Sequence, residues 1–326
     1  MNGDGPVRWD VLSFGETMIR LSVPVGERLE TAGSLEVRIG GAESNVAVAL
    51  ARLGRRAAWC SVLPQNPLGR RIAGELRWHG VDVSPVHWVE RGRVGIYFLD
   101  TGAAPRPTQV LYDRAGSAIA TADPDTIDLS IVEQARLLHL TGITPALSPS
   151  CREIARRLVE RAGQLGVPVC FDVNYRSLLW TPAEAAEALA PFCRAASVLI
   201  CGRGDAATIW SLEGPPDEVL AGLVERFHAP VTVLTLGDEG ALAQTADGAR
   251  FQAPPVQATV VDRVGAGDAF AAGFLHGYLD GEEVARGLRY GVALAALKLT
   301  LHGDLALVTG AELEAVVAGI PRAIVR

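Results

Sequence analysis

A glycine-rich turn near the C-terminal end of the chain is followed at once by an aspartate and an apolar run. The turn contains Gly265, Ala266 and Gly267, and Asp268 comes next. Glycine lets the backbone approach a ligand closely, and a helix N-terminus favours an anion because several N–H groups point the same way. An aspartate beside that anion could meet a reacting hydroxyl group. This segment therefore predicts the transfer of a phosphoryl group.

A second glycine pair, Gly40 and Gly41, precedes another helical pattern, and Asn45 follows it with both a donor and an acceptor. Alone, such a pair is often just a turn. A dinucleotide fingerprint does not explain the C-terminal turn, because Phe270 stands where that motif needs a third glycine.

Arg176 lies just after an apolar run that reads as a strand. Ligands bind at the carboxyl ends of strands in open α/β sheets, so this arginine is well placed to meet an anion. The alternative is a surface arginine beside a structural Asp172.

Composition excludes several classes of protein. Lys298 is the single lysine, so neither a P-loop nor a protein-kinase strand lysine is present. The formal charge of −7 over 326 residues argues against nucleic acid as a partner. No apolar run is long enough to span a membrane, and a cytoplasmic location is expected. The five cysteines lack metal-ligand spacing and are expected to be buried thiols.

Strand and helix patterns alternate along the chain, which predicts a parallel sheet covered on both faces. The predicted strands span 11–14, 137–140, 167–171, 198–201 and 231–236, and the predicted helices span 44–53, 149–164, 268–279 and 282–299. Two extended regions, 20–39 and 93–112, break the alternation. They predict either a small separate sheet or peripheral hairpins.

The two glycine segments, in this order, resemble the two signatures of the ribokinase-like (PfkB) sugar kinases. The resemblance implies a single domain over 1–326, built as a three-layer α/β sandwich with a mostly parallel central sheet. It also implies a small β-sheet lid from about 17–38 and 89–117.

By this resemblance, the segment Gly265, Ala266 and Gly267, with the Asp268 amide, forms an anion hole. Asp268 itself would be the catalytic base, and Gly40, Gly41 and Asn45 would bind sugar hydroxyls. A helix N-terminus is expected to lower the pKa of Asp268. The alternative is that Asp268 merely caps its helix.

Three further segments resemble the 2-keto-3-deoxygluconate kinases of the same family. They imply that Tyr97, Tyr112, Arg114, Asn174 and Arg176 contact the substrate. Two arginines on one ligand suggest a carboxylate, because guanidinium matches it in a bidentate fork.

The strand and turn near 231–241 resemble the nucleotide-binding part of the family. Thr235, Gly237, Gly240, Gly265 and Gly267 would then contact ATP. The family usually carries Asn-x-x-Glu in its Mg²⁺ network, whereas here the segment reads Gly202, Arg203, Gly204 and Asp205. Asp205 is therefore the candidate Mg²⁺ ligand, and Arg203 could instead hold phosphate.

Many relatives have two threonines where this chain has Arg263 and Val264, which argues against a monovalent-cation site at that loop. The implied reaction is ATP-dependent phosphorylation of a sugar acid at its primary hydroxyl, with 2-keto-3-deoxygluconate giving its 6-phosphate. Alternatives are a kinase for a neutral sugar such as fructose or for 5-dehydro-2-deoxygluconate, and a sugar-acid-binding protein with impaired catalysis. A homo-oligomer is expected.

Overall fold

A computed structural model describes residues 7–102, 105–281 and 283–320. The strands are β1 (Val11–Phe14), β2 (Met18–Ser22), β3 (Glu36–Gly40), β4 (Ala57–Cys60), β5 (Val62–Pro64), β6 (His87–Val89), β7 (Ile96–Asp100), β8 (Gln109–Asp113), β9 (Leu138–Thr141), β10 (Val169–Asp172), β11 (Val198–Gly202), β12 (Val231–Thr235), β13 (Ala241–Thr245) and β14 (Arg250–Ala253). The α-helices are α1 (Ala42–Arg52), α2 (Pro67–Trp78), α3 (Ile143–Leu147), α4 (Pro149–Leu165), α5 (Pro182–Ala195), α6 (Arg203–Trp210), α7 (Pro216–Phe227), α8 (Ala266–Tyr278), α9 (Val284–Leu299) and α10 (Gly310–Val317).

The central sheet has eight strands in the order β14-β13-β12-β11-β10-β9-β1-β4. The six strands from β12 to β4 run parallel, and β13 and β14 add an antiparallel edge. Because helices cover both faces of a parallel sheet, its strands should be buried throughout. Strand β1 fits this, since all four of its residues are buried.

Each face of the sheet has its own hydrophobic core, so the molecule has three layers. Successive side chains of a strand point to opposite faces. Val11 accordingly packs with Phe270 and Phe274 of α8, whereas Leu12 and Phe14 pack with the side covered by α4, α5 and α7. The expected three-layer α/β architecture is confirmed.

The ends of helix α4 show how local sequence sets these elements. The Ser148 hydroxyl accepts a hydrogen bond from the Cys151 amide, and Pro149 occupies the first helical position. Gly166 ends the helix at φ +69°, in the left-handed region that glycine adopts without strain. The predicted helix start at Pro149 is confirmed.

A second sheet stands apart from the central one, with the strand order β3-β2-β7-β8. Strands β2 and β7 pair in parallel, and β3 and β8 pair antiparallel on either side. The two extended regions therefore form one small sheet rather than separate hairpins. Residues 103 and 104, which fall within the predicted lid, lie outside the described residues.

Helix α8 begins two residues earlier than the sequence pattern predicts, at Ala266 rather than Asp268. Gly265, at φ +84°, turns the chain into the helix, which puts Asp268 inside the first turn. Helix α9 is described from Val284, and the predicted start of this helix, Glu282, lies outside the described residues.

None of the helices within the described ranges is both long and apolar enough to cross a membrane. All five cysteines are buried and free, as the sequence predicts.

Candidate active site

A cleft of about 540 Å³ lies between the carboxyl ends of the central strands and the small sheet. It brings together residues that are far apart in the sequence. The predicted site residues that line it are Gly40, Gly41, Asn45, Tyr97, Tyr112, Arg114, Asn174, Arg176, Asp205, Thr235, Gly265, Ala266, Gly267 and Asp268. Gly237 and Gly240 do not line it and lie in the turn after β12, so their nucleotide role stays a prediction.

The Asp268 carboxylate is held by two asparagine side chains. Asn45 Nδ2 donates to Oδ2 at 2.7 Å, and Asn174 Nδ2 donates to Oδ1 at 3.4 Å. Asn174 has φ +39°, an uncommon backbone conformation for a residue other than glycine. Helix α8 has no side-chain cap, so the alternative of a simple capping aspartate does not match this geometry.

Burial raises the pKa of the Asp268 carboxyl above its ordinary value. The bond from Asn45 and the charge of Arg176 oppose this shift without reversing it. The expectation that the helix N-terminus lowers this pKa is therefore wrong. The reason is that Asp268, a residue only 7% exposed, loses more hydration than its neighbours replace.

The predicted anion hole lies at the start of α8 and faces the cleft. The first amides of a helix lack intrahelical partners, which leaves them available to an anion. The Ala266 amide makes one long bond, 3.3 Å, to the Arg263 carbonyl. A Cβ on Gly265 would stand 2.1 Å from the Asp304 carbonyl oxygen, whereas a Cβ on Gly267 would meet no atom within 4 Å.

Gly40 and Gly41 are required by close packing at the base of the small sheet. A Cβ on Gly40 would lie 2.3 Å from Asp304 Oδ2, and one on Gly41 would lie 2.1 Å from the Glu16 carbonyl oxygen. The Gly41 amide also donates to Asn45 Oδ1 at 3.3 Å. The glycine pair therefore helps to set the side chain that holds Asp268.

The two predicted arginines differ in their surroundings. Arg114 is mostly buried, and its Nη2 and Nε lie 2.6 and 2.8 Å from Glu16 Oε2. The Arg114 guanidinium also lies 5.4 Å from the centre of the Tyr112 ring. Arg176 is exposed, and its charge lowers the pKa values of the nearby Asp172, Asp205 and Asp268 against their burial.

Sequence reasoning missed a buried polar network beside the cleft. Arg20 Nη1 and Nη2 donate to Asp304 at 2.6 Å and to Asp262 at 2.7 Å. The Tyr97 hydroxyl donates to Asp304 Oδ2 at 2.6 Å. Glu16 was missed as well. The available signals were the charged residues Glu16, just before a short strand, and Arg20, within it, but their partners are more than 90 residues away.

Another missed carboxyl, Glu43, lies in the first turn of α1. Its Oε1 accepts hydrogen bonds from the Thr141 hydroxyl at 2.8 Å and the Thr144 hydroxyl at 2.6 Å. Complete burial nevertheless raises the pKa of Glu43 to about 7.

The carboxylates around the cleft bear on whether a metal fits. Asp172 and Asp205 line it, and burial raises both pKa values by more than the charge of Arg176 lowers them. Within the described ranges, no group of three or more Asp, Glu, His and Cys could hold a metal by itself. A site of one or two carboxylates suits Mg²⁺ that arrives on nucleotide phosphates. Arg203 binds Glu239 Oε1 and the Gly214 carbonyl rather than lining the cleft.

Comparisons with known proteins agree with this architecture. A family model described as pfkB family carbohydrate kinase matches residues 9–309. A 2-dehydro-3-deoxygalactonokinase from Haloferax volcanii is 47% identical over 310 residues, covering 95% of this chain and 97% of that protein. A 2-dehydro-3-deoxygluconokinase from Bacillus subtilis is 31% identical over 300 residues, covering 92% of each.

A solved structure of similar shape is the 2-dehydro-3-deoxygluconokinase from Thermotoga maritima. It matches with a TM-score of 0.90 at 34% identity, covering 96% of this chain and 99% of that chain.

Proposed function

The chain belongs to the pfkB family of carbohydrate kinases, and on that premise we propose that it phosphorylates the terminal hydroxyl of a 2-keto-3-deoxy sugar acid with ATP. The observation that carries the proposal is the meeting of Asp268, the first amides of α8 and the two arginines in one cleft. The family assignment confirms the resemblance drawn from the sequence.

Asp268 orients the reacting hydroxyl and accepts its proton. Its carboxylate already receives bonds from Asn45 and Asn174, so its position is fixed before substrate arrives. A pKa raised by burial makes it a better base than an exposed aspartate. The amides of Gly267 and Asp268 then stabilise charge on the transferring group, the kind of electrostatic effect that dominates such transfers.

Arg114 and Arg176 are the proposed readers of the substrate carboxylate. Two of the three Arg114 nitrogens face Glu16, so its remaining nitrogen, Nη1, is left for the substrate. The Arg176 side chain is exposed to the cleft and can supply a second charge-assisted bond.

ATP and Mg²⁺ are the proposed co-substrate and metal. Thr235 and Asp205 line the end of the cleft formed by β11 and β12. Arg263, in the loop before the anion hole, also lines the cleft. When bound, Mg²⁺ would neutralise charge on the phosphate oxygens, with Asp205 as its protein carboxylate.

Two epimers are candidate substrates. The 47% identity to a 2-dehydro-3-deoxygalactonokinase favours 2-keto-3-deoxygalactonate, whereas the sequence motifs favour 2-keto-3-deoxygluconate. These acids differ in configuration at one carbon, so a single cleft can accept both.

The test is a substrate panel in an assay coupled to ADP release. It contains both epimers, 5-dehydro-2-deoxygluconate, fructose and ribose. We expect the highest kcat/KM with a 2-keto-3-deoxy acid, and a loss of roughly 30- to 1000-fold in Arg176→Ala for the acids alone. Preference for fructose or ribose would contradict the acid assignment, and binding of an acid without ADP release would favour an impaired binding protein.

A further inference from the structure

The single lysine of the chain is a buried cation beneath the anion-hole turn. Lys298 lies in the last turn of α9 and is 0% exposed. Its Nζ donates to the Asp262 carbonyl oxygen at 3.0 Å and to the Leu301 carbonyl oxygen at 3.2 Å. Burying a charge is costly unless it is well paired, so this arrangement calls for a role.

The two carbonyls belong to the two loops that fix the anion hole. Asp262 begins the loop that reaches Gly265, and its Oδ1 accepts from the Val264 amide at 3.0 Å. Leu301 begins the loop that reaches Asp304, whose carbonyl oxygen packs directly on Gly265. The ammonium therefore joins the two segments between which Gly265 is held.

The carboxylates nearest to Lys298 are bound by other groups. The Asp262 and Asp304 carboxylates both bind Arg20, and the Gly303 amide donates to Asp262 Oδ2 at 3.1 Å. Burial lowers the pKa of Lys298, while the charges of Asp262 and Asp304 raise it. The carbonyl oxygens of Asp262 and Leu301 are therefore bound by a buried ammonium group that lies between the two loops.

We propose that the Lys298 ammonium acts as a built-in monovalent cation that positions the anion hole, so that phosphoryl transfer needs no added potassium or ammonium ion. Backbone carbonyls are the ligands that such ions take when they lose water, and an ammonium group satisfies the same oxygens. Lys298 is a positioning residue, because it acts through the loops and does not line the cleft. The proposal rests on the kinase activity proposed above.

The first test uses the wild-type protein in buffers whose monovalent cation is tetramethylammonium, which is too large to sit between the two carbonyls. We expect kcat to change by less than about twofold when potassium or ammonium chloride replaces it at equal ionic strength. Strong activation by potassium or ammonium would overturn the proposal.

The second test removes the ammonium with Lys298→Met. In tetramethylammonium we expect kcat to fall by about 10- to 100-fold, with little change in KM for the sugar acid, because buried carbonyls lose their partner. Ammonium or potassium should restore part of the loss. The matched control is Leu294→Ala, which truncates another buried side chain of α9 and should lower stability without any cation dependence. Full activity of Lys298→Met, or a loss that no cation relieves, would overturn the proposal.

A measurement without substrate separates this proposal from the proposed function. The melting temperature of Lys298→Met should rise when ammonium replaces tetramethylammonium, whereas that of the wild type should not. Absence of that rise would overturn the built-in cation even if the substrate panel succeeds, and failure of the panel alone would overturn only the sugar-acid assignment. If Lys298→Met does not fold, the wild-type cation series decides.

Discussion

At the scale of single residues, the site is organised around carboxyl groups whose charge is costly in the folded protein. Asp172, Asp205 and Asp268 line the cleft, and Glu43 lies behind it. Burial raises the pKa of each. Such a cluster lowers stability at neutral pH, which is common where a protein keeps groups for chemistry rather than for folding.

Replacing Asp268 should separate catalysis from folding. Asp268→Asn keeps the size and can still accept from Asn45, but it cannot take a proton. We expect kcat to fall by roughly 10²-fold or more, with the melting temperature unchanged or higher because a buried charge is gone. The matched control is Asp217→Asn, an exposed aspartate in the first turn of α7, which should leave kcat unchanged. Near wild-type turnover in Asp268→Asn would rule out the base.

Glu43 gives a prediction about pH. Its folded pKa, about 7, lies above the ordinary value of 4.5, so the folded state holds the proton more tightly than the unfolded chain. Its contribution to stability is therefore full below pH 4.5 and is lost as the pH rises towards 7.

Glu43→Gln removes this titration and can keep the bonds from Thr141 and Thr144. We expect the free energy of unfolding of the variant, relative to wild type, to rise by up to roughly 3 kcal/mol between acid and neutral pH. Denaturant unfolding across that pH range measures it. Glu90→Gln, at an exposed position, is measured over the same pH range as the control. A difference for Glu43→Gln that does not change with pH would contradict the prediction, because it would mean that the folded and unfolded states bind this proton equally well.

At the scale of elements, the sequence predicts most of the frame and most of the candidate residues that the fold gathers around the cleft. Strands such as Val11–Phe14 can be recognised in the sequence because they are short and apolar and are followed by a segment with helical periodicity. The start of α8 was predicted at the wrong residue because the turn depends on a positive φ at Gly265, which propensity does not locate. The Arg20 network was missed because its partners, Asp262 and Asp304, are close only after the small sheet has docked.

The two glycines of the anion-hole turn should respond differently to alanine. Gly265→Ala needs a positive φ and places a Cβ against the Asp304 carbonyl, so it should lower stability by about 2 kcal/mol or more. Gly267→Ala meets no protein atom and lies within a helix, so stability should hold or rise by up to about 1 kcal/mol.

The activity of Gly267→Ala should nevertheless fall, since the methyl group enters the cleft where the anion hole is proposed. We expect a higher KM for ATP, a lower kcat, or both. Steady-state kinetics beside thermal melting of the two variants checks this. Normal kinetics for Gly267→Ala would mean that its amide does not face the transferring group.

At the scale of the whole molecule, the three-layer fold buries both hydrophobic cores and leaves the cleft open at the carboxyl ends of the central strands. Arg114, Arg176 and Arg263 gather there although the chain carries a formal charge of −7. Their guanidinium groups can bind anionic substrates directly, although carboxyl side chains line the same cleft. A homo-oligomer and a cytoplasmic location stay predictions from the sequence.

The five buried thiols should report on opening of the whole fold. Burial raises the pKa of Cys60 and Cys151 to about 12, and raises those of the other three cysteines as well. Since the thiolate is the reactive form, the folded protein should resist an aromatic disulfide reagent until it unfolds. The labelling rate and the circular dichroism signal should change over the same range of denaturant concentration. Rapid labelling of a protein that keeps its full signal would reveal a local opening instead.

Lys298, buried beneath the anion-hole turn, is the single lysine among 30 basic residues. The positive charge of the folded surface therefore rests on guanidinium groups, with the α-amino group and histidines beside them. Guanidinium keeps its proton above about pH 12, whereas an ordinary lysine amine titrates near 10. The electrophoretic mobility of the folded protein should thus change less through the alkaline range than that of a lysine-rich protein with the same number of tyrosines, of which this chain has five.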